Sequence, residues 1–156
     1  MEEKELSIRL REMAVRQPTP LCAEWTNEWA DDTDIDELLD KYIRGFDFAV
    51  KNNYPPLDFC RKYFDKEDLH RHNIYLDEEV DIADANNGYY VFLGNCKAEL
   101  WATGYKAITV YCRHNSVVNV KAFEGARVLV RYYDASHGVC KSDEWSKVKS
   151  LNRNRK

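Results

Sequence analysis

Residues 93–142 read as five consecutive tens: LGNCKAELWA, TGYKAITVYC, RHNSVVNVKA, FEGARVLVRY and YDASHGVCKS. Three columns of these tens, spaced two residues apart, hold mostly small or apolar side chains. The eighth column, for example, contains Leu100, Val110, Val120, Val130 and Cys140. Alternation with a period of two predicts a strand with one buried face. Each ten therefore predicts one short strand whose sixth, eighth and tenth residues face a core.

The first four columns carry turn residues, such as Gly94-Asn95, Thr103-Gly104 and Glu124-Gly125. Glycine and asparagine tolerate positive φ, so the chain can reverse direction at these positions. A fixed period with one turn in each unit indicates a repeat architecture.

Two repeat geometries fit a period of ten residues. In a β-solenoid, two tens form one coil of about twenty residues, and each strand stacks on the strand two units away, about 4.8 Å along the axis. In an antiparallel meander, each strand pairs with the next one through a hairpin. The turns lack a regular two-residue Asn-Gly or Asp-Gly signal. We therefore favour the solenoid and keep the meander as the alternative.

The N-terminal half has helical periodicity instead. An amphipathic pattern predicts a helix over residues 2–16, a short helix over 21–30 and a longer one from about Asp34 to Asn52, with short helices after the prolines. Asp32, Asp34 and Asp36 resemble the start of a calcium loop, but the later glycine and glutamate positions do not fit. A cap at Thr33 or Asp34 explains these residues better.

The period changes near residue 73, and this change defines the domain boundary. We expect an α+β protein in which a helical part, residues 1–72, packs on a β-repeat part, residues 73–142. Residues 143–156 form a basic tail, expected to be a short helix that runs into a frayed terminus.

Composition restricts the class of protein. The chain has 156 residues, a hydrophobic fraction of 44% and a net charge of −4, so we expect one domain, or two small cooperating parts, with an ordinary core. The charge argues against a general nucleic-acid coat but not against a local basic strip. No signal-peptide pattern, no membrane-length apolar run and no paired cysteine spacing is visible. A cytoplasmic protein with reduced thiols and no membrane contact is the expectation.

No motif for metal binding or catalysis stands out. Two-residue and three-residue spacings of possible metal ligands occur, but none has the paired spacing of a structural zinc site: His70 with His72, Cys112 with His114, and His137 with Cys140. GxSxG, P-loop and GxGxxG motifs are absent from the sequence. We therefore predict no metal, no cofactor and no catalytic residue, although an enzyme with a site built from distant residues remains a third hypothesis.

The ninth column holds the candidate binding residues. It contains long aromatic and basic side chains, to which the tail adds further positive charges: Trp101, Tyr111, Lys121, Arg131 and Lys141, then Lys147, Lys149 and Arg153. In a meander the column forms one row. In a solenoid it splits into Trp101, Lys121 and Lys141 on one side and Tyr111 and Arg131 on the other. Aromatic and basic groups side by side stack bases and follow phosphates. The alternative is an ordinary solvated sheet face, or one that receives the helices.

The pattern Val-x-Ala-x-x-x-Ala-x-Val, seen in VNVKAFEGARVLVRYYDAS at residues 118–136, resembles a set of bacterial and phage proteins with runs such as "ATVEAYGNA". The likeness covers about residues 95–139. It implies a small β-solenoid and an origin in a phage or mobile element, and it implies no site residue.

These observations favour a non-enzymatic protein-interaction module of phage or mobile-element origin, because a stack of repeats offers rigid flat faces to a protein partner. The alternative is a nucleic-acid-binding protein, or an inhibitor of a nucleic-acid-processing host defence system, that uses the aromatic and basic column.

Overall fold

The structure, a computed structural model, describes residues 2–17 and 33–152. The chain divides into two compact units, Met1–His72 and Asn73–Lys156. The helix expected over residues 21–30 and the candidate residue Arg153 lie outside the described residues.

The described part of the first unit contains five helices: α1 Glu3–Val15, α2 Ile35–Arg44, α3 Phe46–Asn52, α4 Leu57–Tyr63 and α5 Lys66–Arg71. Asp34 caps α2 as the sequence suggested, since its Oδ1 accepts a hydrogen bond from the Glu37 N–H at 2.8 Å. The expectation of one helix up to Asn52 is wrong. Gly45 has φ −100° and ψ 30°, outside the helical region, and separates α2 from α3. Glycine reaches such conformations at little steric cost.

The second unit contains nine strands among its described residues: β1 Ile74–Leu76, β2 Glu79–Ile82, β3 Gly88–Leu93, β4 Lys97–Thr103, β5 Ala107–Cys112, β6 Val117–Phe123, β7 Arg127–Tyr132, β8 Cys140–Ser142 and β9 Lys147–Asn152. All pairings are parallel. Odd strands form a five-stranded sheet in the order β1-β3-β5-β7-β9, and even strands form a four-stranded sheet in the order β2-β4-β6-β8. Consecutive strands thus belong to alternate sheets, which confirms the β-solenoid and excludes the antiparallel meander for this unit.

The register confirms the twenty-residue coil. Ala98 lies opposite Val118, and Val110 lies opposite Val130, each twenty residues later. The first coil is smaller, because Ile74 lies opposite Val91, only 17 residues later. The packing of the helical unit on the β unit stays a prediction.

The inward columns form the core between the two sheets. Leu100, Val110, Val120 and Val130 are fully buried, and they belong to one apolar cluster that runs along the stack. Burial of apolar area at roughly 25 cal/mol per Å² supplies the main favourable free energy of such a core. The sequence pattern therefore defined which side chains face inward.

The turns repeat as regularly as the strands. The second residue of each ten has positive φ: Gly94, Gly104, His114, Glu124 and Asp134. An ion pair joins two of these turns, since the Nε of Arg113, whose side chain is only 4% exposed, donates to Oδ2 of the partly exposed Asp134 at 2.9 Å. Burial raises the pKa of Asp134, but hydrogen bonds from Arg113 and from the His114 N–H outweigh it and hold that pKa below its usual value.

The last coil departs from the columns at Tyr132 and Gly138, and the two departures fit one another. Tyr132 is large where Ala102, Cys112 and Ala122 are small, and its hydroxyl reaches across the core to donate to the Val118 C=O at 2.8 Å. A Cβ on Gly138 would lie 1.8 Å from that oxygen and 2.7 Å from the Tyr132 hydroxyl. The absence of a side chain at residue 138 gives the tyrosine its space.

The short helix expected in the tail is wrong for residues 147–152. These residues form strand β9, which pairs with β7 and continues the five-stranded sheet past residue 142. Only Val148 of this strand packs against the apolar core cluster, so hydrophobic periodicity alone gave little sign of a strand.

Candidate functional site: the outer faces of the two sheets

The candidate column divides between the two sheets as a solenoid requires. Lys121 lies opposite Trp101 and Lys141 on the four-stranded sheet. Arg131 lies opposite Tyr111 on the five-stranded sheet. The eight candidate residues therefore do not form one site, and each outer face has to be considered separately.

The outer face of the four-stranded sheet carries charges of both signs. The Nζ of Lys121 lies 4.5 Å from the centroid of the Trp101 ring, and the Phe123 ring lies 6.1 Å from Trp101 at a tilt of 37°. Three acidic residues occupy the same face: Glu79, Asp81 and Glu99. The lysine here is engaged with its own aromatic neighbour, and the nearby carboxylates reduce any attraction for an anion.

The outer face of the five-stranded sheet is different. We define the basic face as its aromatic and cationic residues: Tyr89, Tyr111, Arg127, Arg131, Lys147 and Lys149. All of these residues except Tyr111 line a shallow depression of about 610 Å³, whose lining includes no Asp, Glu, His, Cys or Ser. For a chain of net charge −4, the face is a local concentration of positive charge.

Like charges face one another on this surface. Arg127 lies directly opposite Lys147, and Lys149 lies two residues further along β9. Like charges on directly opposite positions of neighbouring strands destabilise a sheet. In residues 2–17 and 33–152, none of these three cations has a carboxylate within salt-bridge distance. An anion bound at the face would remove this repulsion.

The aromatic residues of the basic face form a stack that runs along the sheet. The Tyr89 and Tyr111 rings lie 5.9 Å apart at an angle of 17°, and the Arg131 guanidinium lies 5.8 Å from the Tyr111 centroid. Tyr111 is buried, whereas Tyr89 is 47% exposed. The stack therefore ends in an accessible ring at Tyr89.

Sequence reasoning identified Tyr111, Arg131, Lys147 and Lys149 but missed Tyr89 and Arg127. Tyr89 precedes the residues that align as tens, although it lies opposite Thr109 with the same twenty-residue spacing. Arg127 stands in the fifth column, which mixes charged, small and apolar residues. Taking every second ten, as a two-sheet coil requires, would have shown that Arg127 and Lys147 share a row.

A second exposed feature lies at the turns that follow β4, β6 and β8. Tyr105 and Trp145 are 95% and 74% exposed there, and a Cβ on Gly125 would lie 2.8 Å from the Tyr105 ring. The Trp145 turn is well ordered, because Asp143 Oδ2 accepts from the Glu124 N–H at 2.9 Å. This hydrogen bond lowers the pKa of Asp143. We call Tyr105 and Trp145 the aromatic corner.

The histidine and cysteine spacings do not assemble into a metal site in the described ranges. No group of three or more His, Cys, Asp or Glu residues that could hold a metal ion occurs there. Cys112 points into the core, whereas the Nδ1 of His114 accepts a hydrogen bond from the Gly94 N–H at 2.9 Å. In the helical unit, the Nε2 of His72 lies 2.9 Å from Asp36 Oδ1.

None of the helices in the described segments is both long enough and apolar enough to cross a membrane. Comparison with protein-family models finds no match to this chain, and comparisons with curated proteins and with solved structures find none either. The geometry of the two faces therefore carries the functional argument alone.

Proposed function

We propose that this protein is a non-enzymatic binding module and that its basic face docks an anionic macromolecule. The observation that supports it is the opposed pair Arg127 and Lys147 together with Lys149, on a sheet face without carboxylates. Keeping these cations close together costs stability in the free protein. A bound polyanion would convert that repulsion into attraction and would be steered to the face by the local field.

The sheet also supports binding by holding these side chains in place. Neighbouring strands of a sheet lie about 4.8 Å apart, and side chains on one face of a strand are about 6.6 Å apart. The cations therefore project from a fixed lattice of hydrogen-bonded backbone. Less freedom is lost on binding than would be lost from a flexible loop.

Two double charge reversals test this proposal with a matched control. Lys147→Glu/Lys149→Glu changes the basic face, and Lys121→Glu/Lys141→Glu makes the same change of net charge on the other sheet. We expect the first variant to elute from a heparin column at clearly lower salt than the wild type, and the second to elute close to the wild type. An equal shift in both variants would show that only net charge matters, and the proposal would fail.

A protein partner docked at the aromatic corner is the second candidate function. Exposed tryptophan on an ordered turn favours it, because Trp and Tyr are the residues that most often dominate protein interfaces. Trp145→Ser/Tyr105→Ser should then abolish capture of a specific partner that Lys147→Glu/Lys149→Glu still captures. For either function we also propose that the protein comes from a phage or mobile element and acts in the cytoplasm.

A further inference from the structure

We infer that the ligand of the basic face is single-stranded nucleic acid, bound with one base stacked on Tyr89. This inference rests on the proposed function and names the chemical class of its ligand. The geometry behind it is the stack of Tyr89, Tyr111 and Arg131, which leaves the Tyr89 ring 47% exposed at one end. A base on the Tyr89 ring would extend the existing stack of Tyr89, Tyr111 and Arg131 by one more planar group.

The exposed ring discriminates between possible anions. The face of an aromatic ring is electrostatically negative, so the carboxylate of an acidic peptide gains nothing by approaching Tyr89 face-on. A nucleobase stacks on such a ring whatever its sequence, because every base has a π-face. A surface that only had to attract carboxylates would need the cations and not the tyrosine.

The distances between the ring and the cations suit a short strand. Tyr89, Thr109, Leu129 and Lys149 lie opposite one another on successive strands, which puts the Tyr89 and Lys149 backbones roughly 14 Å apart. Arg127 lies two strands and one side-chain step from Tyr89, roughly 12 Å away. A base-stacked strand advances about 3.4 Å along its axis for each nucleotide. The face therefore spans about three to four nucleotides.

An unpaired strand fits this surface better than a duplex. Bases in a duplex are stacked on one another and cannot be placed on a protein ring without being unpaired. The sheet face offers no helix or ribbon that could enter a groove of a duplex. Stacking on an aromatic ring beside a cationic strip is how proteins bind single strands without sequence preference.

Three fluorescent probes of equal charge test the inference on the full chain: a thymidine ten-mer, an abasic ten-mer with the same phosphates, and polyglutamate. We expect the thymidine ten-mer to bind about 5- to 150-fold more tightly than the abasic one. Tyr89→Ala should remove this difference, whereas Tyr89→Phe, which keeps the ring, should preserve it. Three phosphate contacts predict a slope of log K against log salt of about −2, reduced by about 0.7 in Lys147→Ala.

The other outcomes separate the inference from the proposed function. Equal binding of the thymidine and abasic ten-mers to the wild type would overturn the base stack and leave an anion-binding face. Polyglutamate binding as tight as thymidine binding would identify an acidic protein as the partner and overturn the inference. Failure of all three probes at low salt would overturn the proposed function too. The comparison of probes uses wild-type protein, so it does not depend on the folding of any variant.

Discussion

Replacing Gly138 with alanine should break the last coil of the solenoid. The new Cβ would lie 1.8 Å from the Val118 carbonyl oxygen, and real Cβ contacts essentially never fall below 3.0 Å. The backbone at residue 138 would have to retreat by at least about 1.2 Å. Since Gly138 does not have positive φ, alanine brings no backbone strain of its own, and the effect is purely steric.

A retreat of that size would lengthen three hydrogen bonds made by His137 and Val139, and the new Cβ, 2.7 Å from the Tyr132 hydroxyl, would displace the donor of a fourth. Val118 N–H donates to the His137 C=O and Val120 N–H to the Val139 C=O, each at 3.0 Å. The side chains of Tyr132 and Asn119 complete the set, with the Tyr132 hydroxyl donating to Val118 and the Asn119 Oδ1 accepting from Val139, each at 2.8 Å. At about 0.5 to 1.5 kcal/mol each, their loss lowers the free energy of unfolding by about 2 to 6 kcal/mol.

Urea unfolding and hydrogen exchange would measure this effect. We expect a lower urea midpoint and loss of amide protection at Val118, Val120 and residues 137–152, while residues 97–112 stay protected, because each coil depends mainly on its neighbours. Gly104→Ala is the control: its Cβ would meet nothing within 4 Å, but its φ of +88° is unfavourable for alanine, which costs about 1 to 2 kcal/mol. A Gly138→Ala protein as stable as the wild type would refute the close contact on which this reasoning depends.

Two further predictions concern the last coil and the turn next to it. Tyr132→Phe should cost about 1 to 3 kcal/mol in urea unfolding, because the buried carbonyl that the hydroxyl contacts loses its donor; an unchanged midpoint would contradict this. Asp134→Ala should cost about 1 to 3 kcal/mol at pH 7, since it leaves the buried Arg113 guanidinium without its carboxylate. Because the folded pKa of Asp134 is lowered, its contribution is complete above the unfolded value of about 3.9 and is lost as the pH falls through the folded value. Wild type and variant should therefore converge in stability as the pH falls below about 4. Asp84→Ala serves as the control, because it removes an exposed ion pair, the one with Lys106. It should cost less than about 1 kcal/mol both at pH 7 and at low pH.

The columns of ten were enough to predict the solenoid, because strand positions, inward faces and turn positions all repeat every ten residues. Val118 and Val128, for example, occupy the same column and both face the core, although they belong to different sheets. The column could not tell which sheet a residue joins until the coil length was known. The sequence therefore puts Trp101 and Tyr111 in one row for a meander and on different sides for the favoured solenoid, and in the structure they lie on different sheets.

The remaining differences arise where the periodic signal is weak. Strand β9 has alternating lysines and one inward valine, so its pairing with β7 is visible only from the backbone. Gly45 interrupts a helical pattern that continues in apolar spacing on both sides. Tyr132 and Gly138 both depart from the repeat, and the two departures compensate for one another. The large side chain of Tyr132 occupies the space that the missing side chain at Gly138 leaves in the core. A pattern of single columns cannot show compensation between columns.

The alternation of strands between two sheets also determines which insertions in the gene preserve the two outer faces. A duplication of twenty codons would add a complete coil and leave every later side chain on its own sheet. A duplication of ten codons between β3 and β7 would keep each strand's inward residues inward but would move all later strands to the opposite sheet. Tyr89 would then lie on one side of the protein and Arg127 and Lys147 on the other. Such a protein could keep its core and lose its binding face, so homologues that bind the same ligand should differ in length by whole coils.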